Sequence, residues 1–224
     1  MNKTKIEWVK NPDGSQGYTR NPVKGLCKNN CSYCYAKRIY KRFNWNPEIR
    51  IDWTVMDEIY KLKDHSTFFI GSMHDIFGPW IPSNWIEGII DYAKIFPYHR
   101  FIFLTKFPER YKYFDFPKNC WLGTTITGEE NIDELGERMW LFTLLNKDNI
   151  KFVSYEPLLN YRVVYTRYMT MIDWIIIGGL TPKPVHKKEW VIDIIKRARL
   201  WNVPIFIKGN LRWPEKIQNF PNIS

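Results

Sequence analysis

Residues 67–75 read Thr67-Phe68-Phe69-Ile70-Gly71-Ser72-Met73-His74-Asp75. An apolar run of strand length breaks at a glycine and passes straight to side chains that can do chemistry. The same handover recurs along the chain. Arg100–Leu104 (RFIFL) leads into Thr105-Lys106, and Cys120–Thr125 (CWLGTT) ends in Thr124-Thr125-Ile126-Thr127. Lys151–Ser154 (KFVS) is followed by Tyr155-Glu156-Pro157, Asp173–Ile177 (DWIII) by Gly178-Gly179-Leu180-Thr181, and Pro204–Ile207 (PIFI) by Lys208-Gly209-Asn210. An earlier strand is expected between Gly17 and Val23. Such near-continuous apolar runs suit parallel strands covered on both faces.

Helical periodicity fills the intervals. Asn84–Phe96 carries Trp85, Ile86, Ile89, Ile90 and Ala93 at helical spacing, with Ser83 a candidate cap. Glu129–Asn146 places Ile132, Leu135, Met139, Phe142 and Leu145 on one side, and Glu189–Leu200 reads as a further helix. Strand–helix alternation repeated six or seven times means an α/β barrel or a doubly wound sheet. The first strand-to-helix turn has no GxGxxG, which weakens a dinucleotide-binding sheet. Polar strand ends favour the barrel, where chemistry sits at the C-terminal ends of the strands. Any loop is polar and turn-prone, which accounts for Gly209-Asn210 better than for Lys106 or Glu156.

The segment Cys27-Lys28-Asn29-Asn30-Cys31-Ser32-Tyr33-Cys34-Tyr35-Ala36 concentrates three of the four cysteines. Three clustered thiols in one short polar loop read as metal ligands rather than as a secreted disulfide framework. A short irregular loop can present three thiolates to three corners of an iron–sulfur cube. A helix starting near Tyr35 would point its N-terminal dipole at them and help keep them ionised. The fourth iron then has no protein ligand and is open to a small molecule. Three alternatives stand beside this one. A zinc site would need a fourth ligand, for which His74 or Cys120 is available without the paired spacing zinc prefers. A disulfide with a spare thiol is the second, and a purely electron-transferring cluster, which would prefer four cysteines, is the third.

The spacing C-x3-C-x-Y-C resembles the signature of the radical S-adenosylmethionine (SAM) superfamily. Further segments look like one subgroup of it: Thr4-Lys5-Ile6-Glu7-Trp8, Asn21-Pro22-Val23-Lys24-Gly25, Gly71-Ser72-Met73-His74-Asp75, Leu104-Thr105-Lys106-Phe107-Pro108-Glu109-Arg110, Trp121-Leu122-Gly123, Ser154-Tyr155-Glu156-Pro157-Leu158-Leu159 and Asp173-Trp174-Ile175-Ile176-Ile177-Gly178-Gly179. Together they resemble the phage-type three-Cys-motif proteins, whose barrel is related to that of spore photoproduct lyase. The resemblance implies a partial (β/α)6-type TIM barrel with an extra C-terminal strand, a single α/β domain over residues 1–224, with the cysteines in the loop after the first strand. It implies a [4Fe–4S] cluster on Cys27, Cys31 and Cys34, SAM chelated at the open iron, and cleavage of SAM to methionine and a 5′-deoxyadenosyl radical that abstracts hydrogen from a substrate. The reducing electron would come from a donor such as flavodoxin or ferredoxin. Two segments depart from the subgroup: Leu180-Thr181 stands where Glu-Ser often follows the glycine pair, and Gly209-Asn210 where Gln-Trp-Gly often follows the lysine.

Roles follow by position. Tyr33 and Tyr35 would pack beside the cluster and adenine. Gly71, Ser72 and Met73 would lie against the SAM amino group, Thr105, Thr124 and Glu156 would meet its ribose or carboxylate, and Gly178 and Gly179 would let backbone approach it closely. Lys106, His74 and Asp75 are expected at the reacting substrate, Lys106 pairing with a phosphate or carboxylate and His74 beside Asp75 exchanging a proton. Lys208 is a further substrate contact. Cys120, opening a strand, reads as a buried small hydrophobe.

Composition limits the setting. Among 224 residues 45% are hydrophobic and 17% aromatic, so a core can be filled. No apolar run approaches the roughly 20 residues of a membrane helix, and Met1–Lys10 lacks a signal-peptide core, so a cytoplasmic protein without membrane contact is expected. The net charge of +10 is uneven. Residues 1–50 hold 11 Lys/Arg against 3 Asp/Glu, residues 183–224 hold 9 against 3, and residues 51–182 hold 13 against 17. Basic ends attract phosphates, which points to a nucleic acid or nucleotide-like substrate. A small molecule or a protein remains an alternative substrate, and a non-catalytic, zinc-stabilised nucleic-acid-binding module is the rival from another class.

Overall fold

The computed structural model describes residues 3–145, 148–161 and 166–222. Its elements are β1 (Tyr18–Arg20), β2 (Val23–Lys24), α1 (Tyr35–Phe43), β3 (Arg50–Ile51), α2 (Thr54–Asp57), β4 (Thr67–Ile70), α3 (Ser83–Ile95), β5 (Arg100–Thr105), β6 (Cys120–Thr125), α4 (Ile132–Thr143), β7 (Lys151–Tyr155), α5 (Thr166–Met169), β8 (Trp174–Ile177), α6 (Lys188–Leu200) and β9 (Ile205–Ile207). Seven strands form one parallel sheet in the order β1, β4, β5, β6, β7, β8, β9, while β2 and β3 make a separate antiparallel pair. Consecutive parallel strands joined by helical crossovers are the topology of a partial (β/α) barrel with a seventh strand added at the C-terminal end, as expected.

The chain packs as two compact units, Met1–Trp121 and Leu122–Ser224. In the first, β4 pairs with β1 (Phe68 opposite Tyr18) and with β5 (Phe68 opposite Phe101). Phe68, Ile70, Phe101 and Phe103 are fully buried, and α3 covers them with Ile86, Ile89, Ile90 and Ala93. Burying one such side chain contributes roughly 1.5–3 kcal/mol. Ser83 is the first residue of α3 rather than its cap: the capping position is Pro82, which makes no side-chain hydrogen bond. The far end of α3 is closed by Asn119, whose Nδ2 donates to the carbonyls of Ala93 (2.9 Å), Phe96 (3.1 Å) and His99 (2.8 Å).

In the second unit β7 pairs with β6 and β8, and β8 with β9. Phe152, Trp174, Ile176 and Phe206 are buried, with Val191 and Ala198 of α6 and Met139 and Phe142 of α4. α4 starts three residues later than the periodicity predicts. Asn131 caps it, accepting from the Glu134 amide at 2.8 Å. Just before it, Glu130 is turned back to accept from the Thr127 amide and hydroxyl and the Gly128 amide. Asn146, the expected end of that helix, lies outside the described residues. The tail supplies an edge that periodicity does not reveal: Ile207 donates to the Ile217 carbonyl, Asn219 to the Ile205 carbonyl, and Trp174 Nε1 to the Asn219 carbonyl at 2.8 Å.

His99 makes this fold pH-sensitive. The ring is buried between Phe68, Phe96 and Tyr98, and its Nδ1 accepts from the Ser66 amide at 3.1 Å. Burial, with nearby His65 adding to it, pushes its pKa down to about 4. Between pH 6.5 and 4 the unfolded chain therefore binds a proton that the folded chain refuses, so this contribution to stability is complete above about pH 6.5 and is lost as pH falls. His99→Asn keeps an acceptor and removes the titration. The thermal midpoint of the parent chain should fall faster than that of His99→Asn between pH 6.5 and 4, and parallel curves would refute the assignment.

Candidate functional site

The cysteine loop of the first unit begins where β2 stops. Gly25 turns the chain at φ +97°, a conformation that favours glycine, and a Cβ there would lie 2.2 Å from the Glu48 carbonyl oxygen. The Gly25 amide donates to the Tyr40 hydroxyl at 2.7 Å. Its carbonyl meets His74 Nδ1 at 3.2 Å. The chain then runs through Cys27 and Cys31 to Cys34, which is the N-cap residue of α1.

Each sulfur faces N–H donors. Cys34 Sγ accepts from the Lys37 amide at 3.4 Å, so one thiol sits on the positive end of α1. Cys31 Sγ accepts from Asn29 Nδ2 at 3.2 Å. Burial pushes the Cys27 thiol up to about 11, against the pull of the Asp75 and Asn29 amides; iron ligation would itself strip such a proton. Cys27, Cys31 and Cys34 are all free thiols, so the disulfide alternative does not arise. Among the described residues no three His, Cys, Asp or Glu side chains converge as ligands of a single metal ion. A zinc ion, with Zn–S bonds of about 2.3 Å, would demand that convergence. A cluster assigns each thiolate to a different iron, and N–H donors aimed at the sulfurs tune it.

The strand ends of β4 and β5 are locked together beneath this loop. Asn21 Oδ1 accepts from the Ser72 hydroxyl (3.1 Å) and the Met73 amide (2.9 Å), and the Ser72 carbonyl accepts from the Tyr35 hydroxyl. His74 is 3% exposed. Trp80 Nε1, which can only donate, reaches His74 Nε2 at 3.0 Å. The proton therefore resides on Nδ1 and is given to Gly25. Burial lowers the pKa of the ring. Both nitrogens are thus engaged within the protein. Asp75 is spent in the same way. Its carboxylate accepts from the Thr105 hydroxyl (2.6 Å), the Lys106 amide (2.9 Å) and the Phe77 amide (3.2 Å). Burial raises its pKa and these donors oppose the rise. Thr105 also accepts from the Phe107 amide at 3.0 Å. Lys106 Nζ lies 5.5 Å from the centre of the Tyr33 ring. Arg110 reaches the carbonyls of Phe77, Gly78 and Ile81 and holds the loop after Asp75.

The second unit assembles another group. Glu156 and Lys208, expected to contact different ligands, form an ion pair with each other, their side chains 24% and 14% exposed. Gly178 leaves room for it: a Cβ there would lie 2.9 Å from Glu156 Cδ. Asn210 Oδ1 accepts from the Gly179 amide at 3.2 Å, and its Nδ2 donates to the Gly179 carbonyl at 2.8 Å. The close approach that Gly178 and Gly179 permit is thus taken up by Glu156 and Asn210. Thr124 is fully buried in β6. Cys120 is buried at the start of β6, where burial raises its thiol pKa, as expected of a small hydrophobe.

Asn21, Tyr40, Trp80, Arg110 and Asn210 organise these groups without having been assigned roles from sequence. Only Asn21 carried a signal, as a polar residue directly after the first strand.

The chain belongs to the family described as Protein of unknown function (DUF5131), whose model matches residues 3–219. Comparison with curated proteins finds no match. Among solved structures the fold is similar to spore photoproduct lyase complexed with dinucleoside spore photoproduct, at 13% identity and a TM-score of 0.52, covering 80% of this chain and 72% of that one. It is similar also to a double mutant of that enzyme with bound AdoMet and the same dinucleoside (13% identity, TM-score 0.51, 88% of this chain and 65% of that one). A third likeness is to a single mutant of the enzyme (12% identity, TM-score 0.53, 90% and 76%). At these identities the likeness is one of fold alone.

The Glu156–Lys208 pair gives a direct test. Lys208→Met leaves a half-buried carboxylate unpaired and should cost about 1–3 kcal/mol in urea unfolding. Adding Glu156→Gln should return part of that loss. If the double variant is no more stable than the single one, the pair does not act as described.

Proposed function

We propose that this chain is a radical SAM enzyme of the phage-type three-Cys kind, with a [4Fe–4S] cluster held by Cys27, Cys31 and Cys34. The observation that supports the reading most is the cysteine loop itself. Three free thiols lie in one loop after the first strand, each facing N–H donors and one capping α1. When bound and reduced, the cluster supplies the electron that splits SAM into methionine and a 5′-deoxyadenosyl radical. The protein's part is placement. His74 and Trp80 fix the Gly25 end of the loop, and the Gly25 amide on Tyr40 fixes it to α1. Asn21 holds Ser72 and Met73 in the position proposed to meet the SAM amino group. Tyr33, with Lys106 over its ring, and Tyr35, tethered to Ser72, wall the loop against water. His74 and Asp75 are positioning residues in this scheme, and Lys106 is the group proposed to meet an anionic part of the substrate.

In the second unit the Glu156–Lys208 pair offers an acceptor and a donor side by side, suited to a ligand that brings both a hydroxyl and a carboxylate or phosphate. Thr124, Gly178 and Gly179 shape that rim. The substrate proposed is a nucleic acid or nucleotide-like molecule, on the strength of the basic first fifty residues.

Anaerobic reconstitution with iron and sulfide tests the proposal. The parent chain and Cys120→Ala should gain the broad brown iron–sulfur absorbance and release 5′-deoxyadenosine from SAM under reduction. Cys27→Ala, Cys31→Ala and Cys34→Ala should each lose both. Stoichiometric zinc uptake without SAM binding would overturn the reading in favour of a zinc-stabilised binding module.

A further inference from the structure

Between Gly14 and Pro47 the chain has no acidic residue and seven basic ones: Arg20, Lys24, Lys28, Lys37, Arg38, Lys41 and Arg42. Arg20 and Lys24 find Glu58 and Asp52 as partners. Among the described residues the four cations of α1 do not pair with acids. Lys37/Lys41 and Arg38/Arg42 instead stack as like charges one turn apart, an arrangement that weakens an isolated helix. All four are exposed. A helix that carries uncompensated positive rows on its solvent face is shaped for something other than its own stability.

The same helix ends in exposed aromatics. Phe43 is 56% exposed and Trp45 49%. They stack on each other with centroids 5.7 Å apart and planes at 26°, and the Arg42 guanidinium lies 5.3 Å from the Phe43 ring centre. The pair is held in place rather than loose. Asn44 closes α1 in the left-handed conformation, the Trp45 amide donates to the Tyr40 carbonyl at 3.1 Å, and the Trp45 ring meets buried Tyr40 edge-on at 5.4 Å. Large, fixed, water-facing rings cost free energy unless a partner covers them. Rings flanked by cations are what an unpaired base and its phosphates require, since every base offers a face to stack and every linkage an anion.

The geometry points to α1 and the Phe43–Trp45 pair as a docking platform for a single-stranded nucleic acid. Phosphates run over Lys41, Arg42 and Arg38, and an unpaired base stacks on the Phe43–Trp45 rings. The platform lies about 14 Å along α1 from Cys34, nine residues at 1.5 Å each. The inference deepens the nucleic-acid reading above and commits it to an unpaired strand. It does not depend on the cluster.

Binding of labelled oligothymidylate and oligouridylate, each about twenty nucleotides long, is measured at low salt on the chain as purified and again after reconstitution. Phe43→Ala/Trp45→Ala should weaken binding by about 10- to 100-fold, with circular dichroism and thermal midpoint unchanged. Lys41→Gln/Arg42→Gln should lower the slope of log affinity against log salt by about 1.4, two single-strand phosphate contacts, and serves as the test if the aromatic variant does not fold. Negligible binding of both oligomers, an unchanged affinity in the aromatic variant, or a duplex bound more tightly than a single strand would each overturn the proposal. So would a parent dimer that the aromatic variant converts to monomer, since a second copy would then be what covers the rings. Release of 5′-deoxyadenosine without nucleic acid should be the same in parent and aromatic variant. Its loss from the parent would count against the cluster reading alone.

Discussion

The cysteine loop stands on one buried imidazole. His74 gives its Nδ1 proton to the Gly25 carbonyl and takes the Trp80 indole proton on Nε2, so the residue that begins the loop is fixed to the end of β4. Its neighbour Asp75 ties the same turn to the end of β5 through the Thr105 hydroxyl and the Lys106 amide, and braces its own loop through the Phe77 amide. Leaving either group unsatisfied in a buried setting would cost more than the bond itself contributes. Two adjacent side chains therefore hold three chain segments in register, and the positions of Cys27, Ser72 and Lys106 follow from them. Any site that places reacting groups needs that rigidity, because groups misplaced by a fraction of a bond length react poorly.

This explains which parts of the molecule were legible in the sequence. The strands were readable because a parallel strand covered on both faces is apolar without interruption, as in Thr67–Ile70 and Trp174–Ile177. The cysteines stood out because three of the four fall within eight residues. Roles at the strand ends were harder. A histidine beside an aspartate has the same composition whether it moves protons or only holds loops, and the difference lies in Trp80 and Gly25, which spacing alone does not bring near. Glu156 and Lys208 are 52 residues apart in sequence, so nothing local marked them as partners. Ser83 looked like a cap and is a helical residue because Pro82, with its fixed φ, already sets the entry to α3. The pairing of residues 217–219 with β9 was invisible, since a strand edge closed by a tail leaves no periodic pattern.

The distribution of charge follows from the same economy. Several cations are matched to acids within the fold: Arg20 to Glu58, Lys24 to Asp52, Arg138 to Glu134 and Glu130, Arg197 to Asp193. On α1 the matching stops, and the exposed cations there face water with aromatic rings beside them. Net charge by itself says little about a partner. The exposed rings beside the α1 cations say more, because they add a stacking surface to the charge.

The second unit's rim shows what any ligand must overcome. Its polar groups are already satisfied by one another: Glu156 by Lys208, and the Gly179 amide and carbonyl by Asn210. The two glycines are not open space but the clearance those side chains occupy. A ligand arriving there has to replace an ammonium at Glu156 with a donor of comparable strength and give Lys208 an anion in exchange, or else leave a charge half-buried and unpaired. That requirement selects molecules carrying both functions a few ångströms apart and rejects those carrying one. Asn210 is part of the same constraint, since its side-chain amide closes the Gly179 backbone. The Gly179 amide and carbonyl are therefore open to a ligand only if Asn210 moves away.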